Sequence, residues 1–76
     1  MKVFEMREKL LANEAYTVEM MRNPANLNEW VIWVREPMGK SFLLTNASDT
    51  IIATDDANEC LWLLRSMGVK TVSIVL

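Results

Sequence analysis

Asp55, Asp56 and Cys60 sit close together and carry the side chains best suited to acid–base, metal-binding or nucleophilic chemistry. A carboxylate pair can hold a cation or share a proton, and a thiolate is a strong nucleophile. Neither arrangement is completed. Adjacent residues at a helix start point in different directions, so Asp55 and Asp56 do not converge on one ion. Their position gives them a simpler role: Asp56 followed by Glu59 matches a capping box, and Asp55 adds charge at the positive end of the helix dipole. Cys60 falls on the apolar stripe of the same helix, which predicts a buried, inert thiol; exposed there, the dipole would lower its pKa. Asp49 reads as an ordinary turn residue.

The rest of the composition removes further chemistry. The chain has no histidine, the commonest general base, and no paired nucleophile and base. Its single cysteine cannot form an intramolecular disulfide and has no histidine to help it bind zinc. Gly39 and Gly68 are the only glycines, one for a turn and one for a helix end, so no phosphate cradle exists. The expectation is a protein that is not an enzyme, with no catalytic residue, no metal site and no cofactor.

Contact residues are more promising. Trp62 lies in Asp56–Met67, where Ala57, Cys60, Leu61, Leu64 and Met67 gather on one helix face at about 100° per residue. Trp62 projects from nearly the opposite side, among Asn58, Arg65 and Ser66. Trp30 shares a strand face with Ile32 and Val34 and reads as core. Trp33 points the other way, with Val31 and Arg35, and Leu43 or Leu44 must join that side. If helices cover only one face of the sheet, Trp33 and Val31 are exposed on the other. A crossing segment such as the first helix would cover them instead. Trp62, Arg65, Trp33 and Val31 are therefore the candidate protein-contact residues. Of the six methionines, Met6, Met20 and Met67 read as core, and Met21 and Met38 as surface.

The elements that position these residues follow from periodicity. Val3 to Asn13 predicts a helix, with Val3, Met6 and Leu10 on one face and Glu5–Lys9 as an i,i+4 pair. Arg7 falls inside that stripe, which requires it either to snorkel or to leave the first residues non-helical. Tyr16 to Arg22 alternates as a half-buried strand, and Asn23 to Asn28 supplies a loop containing Pro24. Glu29 to Glu36 is the strongest strand, Pro37 to Lys40 a turn, and Ser41 to Asn46 the returning strand. After a turn at Ala47–Asp49, Thr50 to Ala53 predicts a short fourth strand. Gly68 ends the second helix, and Val69 to Leu76 is a final strand able to run parallel to one of the meander.

The fold class expected is α+β, a single domain over residues 1–76. Its order is α-β-β-β-(β)-α-β, an antiparallel three- to five-stranded sheet with two helices packed on one face. Seventy-six residues is near the lower limit for a domain without staples, and the 51% hydrophobic content answers that need. A second copy could complete part of the core. The final strand, with Lys70 as its one charged blocker, offers an edge for homodimerisation.

Ten acidic against eight basic residues give a charge of −2, with no long-range pull toward nucleic acid or anionic lipid. Helix, three-strand meander and helix resembles a double-stranded-RNA-binding domain in topology and length. Such domains carry a lysine cluster at the start of their second helix, where this chain places Asp55 and Asp56. Those carboxylates would repel phosphate. The charged N-terminus does not fit a signal peptide, and apolar runs such as Trp30–Val34 are too short to span a membrane. The reading is a small intracellular, cytoplasmic protein that acts by contact with a protein partner or a second copy of itself, with no membrane association. The other readings are a single-stranded nucleic-acid binder using the open sheet face, and, least supported, an enzyme.

Overall fold

The computed structural model describes all 76 residues. The chain runs α1 (Val3–Leu11), β1 (Thr17–Asn23), β2 (Asn26–Arg35), β3 (Ser41–Leu43), β4 (Ala53–Thr54), α2 (Ala57–Ser66) and β5 (Ser73–Val75), an α+β fold. Its strands form one mixed, mostly antiparallel sheet in the order β3-β2-β1-β5, with β4 also paired to β2. No helix is long and apolar enough to cross a membrane.

The β1–β2 hairpin is the centre of the sheet, with Glu19 opposite Trp33, Met20 opposite Ile32 and Met21 opposite Val31. The loop expected over Asn23–Asn28 is shorter, because β2 already starts at Asn26. Two asparagines tighten it: Ala25 N–H donates to Asn23 Oδ1 at 3.0 Å, and Asn28 N–H to Asn26 Oδ1 at 3.2 Å. Side-chain carbonyls of this kind mimic a backbone turn. Pro24 sits where no ladder hydrogen bond is required of it.

The third strand pairs with β2 over Ser41–Leu43, followed by one more hydrogen bond from Leu44 N–H to Ile32 O at 2.9 Å, and does not continue to Asn46. At Thr45 the backbone exchanges partners: its N–H donates to Met1 O at 2.8 Å, and Val3 N–H donates to Thr45 O at 3.0 Å. Thr45 also bridges antiparallel to Ile51, so residues 45–51 fold back as a small hairpin. The fourth strand therefore falls later than Thr50–Ala53, at Ala53–Thr54, beside Trp30 and Val31.

Both helices end in the same way. The N–H of Asn13 bonds to Leu10 O and that of Glu14 to Lys9 O; the N–H of Gly68 bonds to Arg65 O and that of Val69 to Leu64 O. This is the Schellman pattern, which needs a left-handed residue just past the helix. Asn13 (φ 59°) and Gly68 (φ 93°) supply it. The first helix thus stops at Leu11, short of Asn13. Its expected Glu5–Lys9 pair does not form: Glu5 Oε1 accepts from Lys2 N–H at 3.0 Å, and Lys9 pairs with Glu14 at 3.7 Å. Arg7 is exposed and the helix forms around it.

Alternation sorts the strand residues into two sets. Val18, Met20, Trp30, Ile32 and Val34 join a buried cluster with Leu44, with Met6 of α1, and with Cys60 and Leu64 of α2 and its C-cap Met67. Thr17, Glu19, Met21, Val31, Trp33 and Arg35 make up the opposite side. The final strand is shorter than Val69–Leu76. Only Ser73–Val75 pair, parallel to Glu19–Met21 of β1, and all three are exposed at the sheet edge.

Candidate functional site

The start of α2 is built around Asp56. Its Oδ1 accepts from Asn58 N–H at 2.9 Å, the cap expected of it. The reciprocal half of the capping box is replaced by a relay. Glu59 Oε2 accepts from the Thr54 hydroxyl at 2.8 Å, and Thr54 Oγ1 in turn accepts from Asp56 N–H at 3.1 Å. No group of three or more ligating side chains comes together in the chain.

Cys60 is 1% exposed, in the core cluster. Burial, then the carboxylates of Glu59 and Asp56, push its thiol above the ordinary value. The low-pKa alternative at the helix N-terminus is overridden by desolvation, because removing a thiolate from water disfavours the charged form.

On the outer side of α2, Trp62 is 75% exposed. Asn58, Glu59, Arg65 and Ser66 are exposed with it. Arg65 also borders a groove of about 530 Å³ between the end of α2 and the segment leading to β5. Leu61, Leu64, Val69 and Val72 supply its apolar lining, and Lys70 is the second cation on it. No acidic residue lines the groove. Periodicity missed this feature, because it arises where Gly68 turns the chain and Val69–Val72 fold back as connection instead of strand.

No protein family, curated protein or solved structure matches this chain.

The two residues expected together on the open face of β2, Trp33 and Val31, divide. Trp33 is half-buried beside a cavity of about 360 Å³ that Glu19, Met21, Arg35 and Ser41 also line. Val31, expected to be exposed with it, is only 2% exposed. The cause is its place in the sheet. Val31 is flanked by Met21 of β1 and Ala53 of β4, with Trp33 two residues along. Beside the longer Met21 and Trp33, the short side chain of Val31 presents little area to solvent, whereas the larger indole of Trp33 still reaches it. Val31 thus offers no contact surface.

Trp30 is buried as expected, and the guanidinium of Arg22, its cross-strand partner, lies 4.1 Å from its ring centroid. The positively charged group covers the rim of the core there. The Arg65 groove and the Trp33 cavity have no lining residue in common, so the structure provides two separate surfaces.

Proposed function

We propose that this chain is a small accessory or regulatory protein that works by protein–protein contact and associates with itself. Trp62 carries the reading. Ordering a large indole on the outside of a helix leaves much apolar area in water, and tryptophan is the residue type most enriched among binding hot spots. Its 75% exposure contrasts with Cys60 and Leu64, which the same helix buries. Arg65, exposed one turn later, adds the other residue type common at such centres. Trp33 offers a second, less exposed surface, where Glu19 directly opposite it would oppose a phosphate backbone. A reducing, cytoplasmic setting suits a lone buried free cysteine.

Mass in solution against concentration tests the reading. The wild-type mass is expected to rise with concentration, and Trp62→Ala to shift that rise to higher concentration. The variant's stability loss is expected to stay well under the ~3–5 kcal/mol of a buried tryptophan. A wild-type chain still monomeric at about 1 mM would remove self-association from the proposal.

A further inference from the structure

The solvent face of α2 is self-complementary about Trp62. Glu59 lies three residues before it and Arg65 three residues after, and both are exposed. Asn58 and Ser66 are spaced in the same way, four residues to either side. At about 1.5 Å rise per residue, the acid and the base stand roughly 9 Å apart along the axis, too far to pair within one helix. Neither has an ion-pair partner anywhere in the chain, whose one salt bridge is Lys9–Glu14. Glu59 Oε1 is also free, since the Thr54 hydroxyl takes Oε2.

We propose that α2 is the homodimer seam: two copies pack antiparallel across a two-fold axis at Trp62. The inference rests on the contact role proposed above for that residue. A two-fold axis pairs each i-to-j contact with an equivalent j-to-i contact, so an acid and a base equidistant from the axis are brought level twice, near enough for two long side chains to reach across the seam. Glu59 of each copy then meets Arg65 of the other, and the two indoles cover one another at the centre. Lys70, on the groove that Arg65 borders, adds positive charge where the second copy's helix N-terminus arrives with Asp55 and Asp56.

The apolar area of the indoles drives this association, and the exposed charges fix its antiparallel sense. One short helix per copy buries less than the ~800 Å² per partner of a standard interface, so the dimer is weak and reversible. The edge strand β5 is the competing seam. It pairs over only three residues and carries no charge that would select a second copy.

Sedimentation velocity on the full chain, up to about 1 mM, tests the seam with Trp62→Ala, Arg65→Glu and Glu59→Lys. Each variant is expected to weaken self-association about tenfold or more. Mixing Arg65→Glu with Glu59→Lys is expected to restore it, because both cross-seam pairs become attractive in the mixed dimer. Glu59→Gln keeps the acceptor for Thr54 and loses only the charge; it is expected to fall between wild type and Glu59→Lys, and circular dichroism would verify that it is folded. A dimer untouched by all four changes would overturn the α2 seam while leaving self-association intact, with β5 as the seam to examine. Sensitivity to Trp62→Ala without restoration by mixing would overturn the antiparallel arrangement alone. A wild-type monomer throughout would overturn this inference and the self-association beneath it.

Discussion

Trp33 and Val31 stand on the same side of β2, yet only the indole reaches solvent, and the same interplay of size and surroundings governs Cys60. Its thiol keeps its proton because burial, then Glu59 and Asp56, raise its pKa in the folded chain. In the unfolded chain it ionises at about 8.5. The folded form therefore binds more protons above that pH, and stability falls as pH rises toward the folded-state value. The contribution is complete below the unfolded pKa. Cys60→Ala is expected to flatten this alkaline decline relative to wild type, measured by urea denaturation from neutral pH to about 10. Equal slopes in the two proteins would show that the thiol titrates normally. The burial of Cys60 and Trp30 was legible from periodicity, because each shares a face with several apolar neighbours. That of Val31 was not, since it depends on which strands flank β2 on both sides.

The helices show how far local signals reach. Asp56 and Gly68 both serve as the sequence predicts, one accepting from Asn58 N–H and the other turning left-handed after Met67. Asp56→Ala is expected to cost about 1 kcal/mol, read as a lower urea midpoint with an unchanged slope. Thr54→Val breaks the relay to Glu59, but its polar groups are exposed and water replaces the hydroxyl, so its loss is expected to be smaller. A larger loss for Thr54→Val than for Asp56→Ala would make the relay, and not the cap, the device that starts α2. Thr54 could not be read in advance, because its hydroxyl reaches Glu59 only once β4 has paired with β2. Asn13 escaped for a related reason. Helix propensity allows α1 to continue there, and the stop comes from its left-handed backbone, with Glu14 N–H reaching Lys9 O.

At the scale of the molecule, the sequence order of elements was legible but the partner exchanges between them were not. Ser41–Asn46 reads as one strand, yet Thr45 leaves β2 for the backbone around Met1 and Val3, a non-local choice that no window of residues contains. Val69–Leu76 likewise reads as one β-branched run. Its first residues instead line the groove beside α2, which places Lys70 outside β5 and leaves that edge strand uncharged. These exchanges also predict unequal stability. The helix α1 buries only Met6, exposes Phe4 and Leu11, and is tied to the sheet side by the hydrogen bonds of Met1 and Val3. The central strands β1 and β2 bury Val18, Met20, Ile32 and Val34 in one cluster. Opening α1 therefore exposes far less apolar surface than separating β1 from β2, and it proceeds without global unfolding. Hydrogen exchange is expected to show the α1 amides turning over at least about tenfold faster than those of Met20 and Ile32, a gap of about 1.4 kcal/mol or more. Met6→Ala is expected to widen the gap, because it removes the one fully buried side chain of α1 and leaves only the partly buried Val3 and Leu10 packed against the core. Equal protection of α1 and the central strands would show instead that the Met1–Thr45 exchange binds helix and sheet into a single cooperative unit.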